Sequence, residues 1–339
     1  MMNYNSTKLM FFVLLIMGSI FCISSYSWFS MWMGLEINLL SFIMIMSNYK
    51  NMMNTESSMK YFMVQALTST IFLFTIIFLS INMSLMKLNF IMKLIMNMTL
   101  MFKMGAAPFH WWFIEIIKNM NWISCLILMT WQKIAPMIIL SYFMEKNIIF
   151  IIIIYSIIIG SIGGINQSMI NMIMGYSSIN NLGWMLMSML MSKILWNLYF
   201  ILYSLMNLLM IILFSLLKIF HINQSYSINN IKPLMKFMML LNILSLGGLP
   251  PFMGFLPKWM ALKMMLLDNM LFLSLLMMMM SLITLFYYLQ INFSSLMLNY
   301  FYQKFNNNYY YNNYFMNHIY IMTFFLLNML MLSSMIIKF

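Results

Sequence analysis

The sequence predicts an all-α, polytopic membrane protein, and three observations carry that reading. Of its 339 residues, 64% are hydrophobic and 6% charged, with a mean hydropathy of +0.91. Apolar runs of membrane-spanning length recur from end to end, and the connections between them are mostly short. A soluble domain carries roughly 25% charged residues, because its surface must meet water. Five acids and seventeen lysines cannot coat a 40.5 kDa globule. A soluble enzyme is therefore excluded. So is a disordered chain, which requires low hydrophobicity.

A helix that crosses about 30 Å of hydrocarbon needs roughly 20 apolar residues. Such runs, bounded by polar residues or by Gly and Pro, fall at 8–27, 28–47, 59–86, 88–118, 122–144, 148–165, 172–191, 194–220, 234–266, 270–293 and 319–338. They make about eleven transmembrane helices in a single domain covering 1–339. Lys8 and the apolar run 9–23 resemble a secretory signal, but no small-residue cleavage site follows. Lysines near the span ends lean toward an N-terminus on the inner, more positive side, eight against six. The longest connection, 294–317, holds FNNNYYYNNYF and reads as a solvated low-complexity loop.

Two spans are interrupted. GAAPFHWW at 105–112 breaks the run 88–118, and GGLPPFMGFLPKW at 247–259 breaks the run 234–266. Proline removes a backbone donor and glycine loosens a helix, so Gly105, Pro108, Gly247, Gly248, Pro250 and Pro251 mark breaks near mid-membrane. One such break is a kink. Two, in corresponding halves of a chain, point to an inverted-repeat transporter with an ion site at the breaks. The repeats would span about 8–144 and 148–293, with 319–338 as a C-terminal helix.

Four charges stand where a membrane helix should have none. Glu36 lies about 12 Å into its span and Lys133 about 16 Å, at 1.5 Å per residue. Lys103 precedes the first break by two residues, and Lys258 follows the second. Each costs about 2.5–3.5 kcal/mol at a helix centre. A buried ion pair that only fixes packing accounts for Glu36 and one lysine, but one glutamate cannot neutralise three. A lysine held out of water is poised to exchange a proton near neutral pH. A proton relay through these four groups is therefore the preferred reading.

Weaker signals surround these. His110, inside the first break, either passes protons near neutrality or steadies the broken helix by a hydrogen bond. His221 and His318 fall near span ends. Cys22 and Cys125 are far apart and form no CxxC pair, so no iron–sulfur or zinc site is expected. No glycine fingerprint for a dinucleotide or flavin occurs, and the chain reads as holding no redox centre or metal. The formal charge of +12 comes from scattered lysines without a single arginine, which suits membrane flanks rather than nucleic acid. Fifty Met with only five Ala and two Val indicate A+T-rich codons with AUA also read as Met. That pattern belongs to animal mitochondria, so an organelle-encoded inner-membrane protein of an invertebrate is expected.

Five strings then carry a resemblance: WMGLEINLLSF (32–42), GAAPFHWWF (105–113), TWQKIAP (130–136), SSINNLGWM (177–185) and LSLGGLPPFMGFLPKW (244–259). In this combination and order they resemble the NADH dehydrogenase subunit 2 family, the antiporter-like membrane subunits of respiratory complex I. The resemblance implies an Mrp antiporter-like fold of inverted five-helix repeats with two broken helices. It implies that Glu36 pairs with Lys103, that Lys133 is the central lysine, and that Lys258 serves the second broken helix. Relatives usually read SSINHLGW, and here Asn181 replaces the histidine with an amide that cannot titrate.

The function so implied is proton translocation driven by NADH oxidation and quinone reduction elsewhere in a large assembly. NADH, FMN, iron–sulfur clusters and ubiquinone would be bound by other subunits. The partners would be further membrane-arm subunits, antiporter-like ones included, with lipids such as cardiolipin. A stand-alone cation/proton antiporter would use the same lysines and breaks, and fold alone does not separate the two.

Overall fold

A computed structural model describes residues 6–47, 51–81, 86–225, 233–297 and residue 323. The predicted loop 294–317 begins later than expected, since 294–297 continue a helix; its residues 298–317, His318 and the span 319–338 (apart from Thr323) lie outside the described residues. The chain divides into two compact units, Met1–Ser156 and Ile157–Phe339. The described residues of both are helical, apart from turns and one isolated β-bridge.

The first unit opens with α1 (Ser6–Ser24), α2 (Trp28–Met46) and α3 (Met52–Ile81), each long and apolar enough to cross a membrane. Ser27 caps α2 by accepting from the Ser30 amide at 3.3 Å. Small residues let α1 and α2 approach closely. A Cβ on Gly34 would lie 2.8 Å from Cys22, and one on Gly18 would lie 3.1 Å from the Asn38 amide. This packing fixes the helix that carries Glu36.

The run 88–118 becomes two half-helices, α4 (Met86–Met104) and α5 (Trp111–Asn119). The run 122–144 also divides, into α6 (Trp122–Met129) and α7 (Trp131–Leu140). The sequence reading treats 122–144 as continuous, whereas the structure parts it at Thr130 (φ −117°, ψ −71°). Two local causes meet there. Thr130 Oγ1 donates back to the Leu126 carbonyl at 2.7 Å, a bond that bends helices. Pro136 has no amide to offer the Gln132 carbonyl.

α8 (Lys146–Ile162) leads into the second unit, which contains α9 (Ile170–Met191), α10 (Lys193–Leu217), α11 (Pro233–Gly247), α12 (Phe255–Leu267) and α13 (Leu271–Met297). α9 is the core of this unit. Nearly all its residues are buried, including Ser177, Ser178, Asn180 and Asn181. A helix with polar groups inside rather than outside shields them from lipid. Among the described residues, six helical spans meet membrane-crossing length and hydropathy by themselves. Trp122–Leu140 belongs to that set despite its turn at Thr130, whereas the half-helices at the two glycine breaks and the polar α9 do not.

Candidate functional site

Both breaks are built from one backbone device. Gly105 takes a left-handed conformation (φ +70°), and so does Gly248 (φ +81°). At the first, the Gly105 amide donates to Phe102 O at 3.1 Å and the Ala106 amide to Met101 O at 3.0 Å. At the second, Gly248 donates to Ser245 O at 3.0 Å and Leu249 to Leu244 O at 3.5 Å. This is a Schellman closure, which ends a helix and satisfies its last carbonyls. Both segments then re-enter a helix through equivalent turns, Phe109 N to Ala106 O and Phe252 N to Leu249 O, each 2.9 Å. Gly247 itself remains the last residue of α11, while Pro108, Pro250 and Pro251 lie within the turns.

Each break sets an ammonium against the C-terminal end of a half-helix, where the backbone dipole is negative. Lys103 occupies the last turn of α4. Lys258, in the first turn of α12, reaches back and donates to the Gly247 carbonyl at 3.1 Å. Neutral side chains add further bonds to carbonyls at the end of α4. Gln65 Nε2 donates to Lys103 O and Trp112 Nε1 to Phe102 O, both at 3.2 Å.

Lys103 is buried, with Nζ 5.7 Å from the centroid of the Phe72 ring. Glu36 on α2 is half-buried, and its charge acts on Lys103. Among the described residues the two make no direct ion pair. The pairing implied by the resemblance is therefore electrostatic rather than a contact. The described ion pairs are elsewhere, where exposed Lys60 meets Glu56 at 2.9 Å and Glu115 at 3.4 Å.

Lys133 is 1% exposed, the deepest of the described lysines. Its Nζ lies 5.4 Å from the centroid of the Phe113 ring, a cation–π contact. Phe113 is itself fixed by the first break, since a Cβ on Gly105 would come within 2.9 Å of it. The neighbouring Gln132 donates to Asn38 Oδ1 at 3.0 Å. Asn38 lies two residues after Glu36, so the central lysine's segment is tied to the glutamate's helix.

In the second unit a small cavity is lined by Lys258, Asn181, Tyr199, Tyr203, Ser245 and Gly254, among others. It offers about 20 Å³ to water centres, above the roughly 10–15 Å³ that one water requires. Asn181 does not stand idle there. Its Oδ1 accepts from the Tyr199 hydroxyl at 3.0 Å.

His110 caps α5 and is buried, with Nδ1 donating to the Pro108 carbonyl at 3.1 Å and its ring against Trp111. Of its two sequence readings, this geometry displays the local bond that steadies the break. His221 sits in the bridge with Met169, at the surface. Among the described residues no cluster of His, Cys, Asp or Glu could hold a metal, and Cys22 and Cys125 are buried thiols.

The sequence reading missed Phe72, Phe113, Asn38 and Gln132, and the tyrosines around Lys258. Tyr199 and Tyr203 are four apart on one face of α10, which is a signal. In a chain with 19 Tyr and 30 Phe it does not stand out.

The family described as NADH:quinone oxidoreductase/Mrp antiporter, TM, matches residues 25–284. The chain is 46% identical to NADH-ubiquinone oxidoreductase chain 2 of Anopheles gambiae over 293 residues, 86% of each chain. It is 43% identical to the protein of that name from Locusta migratoria, over 88% of this chain and 87% of the relative. Its fold matches a chain in respiratory complex I from Thermus thermophilus with bound aureothin. That match has a TM-score of 0.87 and 19% identity, and covers 98% of this chain and 80% of the other.

Proposed function

This chain belongs to the NADH-ubiquinone oxidoreductase chain 2 family, within the NADH:quinone oxidoreductase/Mrp antiporter proteins, and from that premise we propose how it works. It is a proton-translocating membrane subunit of NADH:ubiquinone oxidoreductase, respiratory complex I. We infer that it sits in the inner mitochondrial membrane, beside other membrane-arm subunits, antiporter-like ones among them, and lipids such as cardiolipin. NADH, FMN, iron–sulfur clusters and ubiquinone belong to those other subunits. This chain supplies the proton-handling groups.

The observation that carries the reading is the set of three buried lysines, two of them at helix breaks, with no fully buried carboxylate among the described residues; Glu36 and Glu145 are half-buried. A proton held on one amine opposes a second on its neighbour in a low-dielectric interior. A change of charge at Glu36 or Lys103 is therefore felt at Lys133, and Lys258 is the equivalent group of the second unit. The two units would be the two repeats. Phe72 and Phe113 suit this role. An aromatic face stabilises an ammonium without pairing it permanently, so the proton is held but can leave.

Lys133→Met tests the assignment, because it keeps length and apolar volume and removes the proton site. Apolar replacement of a buried charge is often neutral or stabilising, so the complex assembles. In reconstituted vesicles, pumping and quinone reductase turnover both fall by about tenfold or more. Full pumping at normal assembly would remove Lys133 from the mechanism. A stand-alone antiporter is disfavoured by the names of the relatives. Co-migration of the chain with NADH dehydrogenase activity on a native gel decides that point.

A further inference from the structure

The second unit holds a run of buried hydroxyls that the lysines do not explain. It begins at the cavity, where Tyr199 and Tyr203 face Lys258. Tyr199 donates its proton to Asn181 Oδ1 at 3.0 Å, so its oxygen lone pairs are left for a proton donor in the cavity. Tyr203 lies beside Ser178 and Asn207. Tyr288 lies beside Ser177, and its ring is 4.7 Å from that of Tyr287. Tyr288 also packs on the second break, 3.6 Å from a Cβ built on Gly247. All four tyrosines are buried.

The run has a direction. Asn181 is about 16 Å from the start of α9, and Ser177 and Ser178 about 10–12 Å, at 1.5 Å per residue. Tyr287 is at the surface end, with its ring against Gly164, where a Cβ would come within 2.8 Å of it. Gly164 belongs to loop 163–168, whose Asn166 and Ser168 are exposed. That face is pinned by bonds from Ile170 N to Phe220 O (2.9 Å) and Ile222 N to Ser168 O (3.0 Å).

Neither Tyr287 nor Tyr288 closes a well-formed hydroxyl hydrogen bond among the described residues. Asn242, buried on the half-helix that ends at Gly247, has both amide atoms in the same condition. Buried polar atoms left without good partners mark places where bridging water completes the bonding.

We propose that the hydroxyls of Tyr199, Tyr203, Tyr288 and Tyr287, joined by water, conduct protons between Lys258 and the membrane face that bears loop 163–168. This rests on Lys258 being a proton carrier. In each passage the Lys258 ammonium gives one proton to a neighbouring oxygen and becomes an amine. That oxygen releases its own proton to the next, and the last proton leaves at the loop. No tyrosine ends ionised and nothing is oxidised or reduced. In the reverse direction the same exchanges reload the amine. Asn181 cannot titrate, so the Tyr199 hydroxyl turns from Asn181 Oδ1 to the next water or hydroxyl when it passes its proton on, and the amide holds it only between passages.

Tyr203→Phe and Tyr288→Phe remove one oxygen each and keep the rings, so they test the path in assembled complex I. Lys258→Met serves as the reference variant and Tyr155→Phe, on an exposed face of α8, as the control. At equal assembly, each inner Tyr→Phe lowers pumping and turnover by about tenfold, with an altered solvent deuterium isotope effect. The double variant falls no further than the worse single one, because both lie in one series path. If Lys258→Met abolishes pumping while both phenylalanine variants stay within about twofold of wild type, the path is wrong and the lysine stands. If Lys258→Met itself pumps normally, the underlying assignment fails whatever the tyrosines do. Reduced assembly with normal turnover per complex also overturns the path, since it shows packing alone. Should Tyr288→Phe fail to assemble, Ser177→Ala takes a hydroxyl from the same junction and carries the same two outcomes.

Discussion

Glu36 shows how a single charge acts without touching its partner. It is half-buried on α2, and its field reaches Lys103 although the two form no direct ion pair. At an effective dielectric near 20, two unit charges interact by about 4 kcal/mol at about 4 Å, and by less as they separate. Such a term is large enough to set whether a buried amine carries its proton. Glu36→Gln keeps the shape and removes the field. Turnover is expected to fall by about tenfold or more with assembly unchanged; wild-type turnover in that variant would reduce Glu36 to a packing group. The charges were legible in the sequence because an ionised group inside an apolar run is rare whatever surrounds it. Their aromatic contacts were not. Phe72 and Phe113 differ from lipid-facing phenylalanines only in what the fold sets beside them.

Among the elements, the two breaks show what sequence can and cannot locate. Proline and glycine announce that a helix stops, and both stops were readable at 105–112 and 247–259. The one at Thr130 was not, because it arises from a threonine bonding back to Leu126 ahead of a proline six residues on. No motif spells that combination. The glycines of the breaks are constrained in different ways, and this gives an ordered expectation. Gly105→Ala forces a left-handed backbone on an L-residue, at roughly 1–2 kcal/mol, and presses on Phe113. Gly248→Ala carries the same backbone cost, but its Cβ meets the mobile end of Lys258, 2.9 Å from Nζ. Gly254 has ordinary helical angles, yet its Cβ would overlap the Ser245 carbonyl oxygen, backbone against backbone. Gly254→Ala is thus expected to lose most assembled complex on native gels. Gly105→Ala should assemble with a lower inactivation temperature. Gly248→Ala should keep the most assembly but lose turnover, because it displaces Lys258 from the Gly247 carbonyl. Equal assembly for all three would contradict this packing.

For the whole molecule, the proposed function makes this chain a carrier of protons whose driving energy comes from elsewhere in the complex. Two compact units each hold a broken helix and a lysine at the negative end of a half-helix, and the first adds Lys133. The energy must enter from partners that oxidise NADH, so proton steps here and electron steps there belong to one cycle. If they are strictly coupled, a blocked lysine stops the cycle itself rather than only its output. An uncoupler distinguishes the two cases. In wild-type vesicles, dissipating the proton gradient relieves back-pressure and raises turnover. In Lys133→Met or Lys258→Met the obstacle is internal, so an uncoupler leaves turnover at its reduced level. Restoration by the uncoupler would mean that electrons can flow past the lysines, and that this subunit leaks or buffers protons instead of gating them. Measuring NADH oxidation with and without uncoupler, on equal amounts of assembled complex, separates a coupled relay from a passive one.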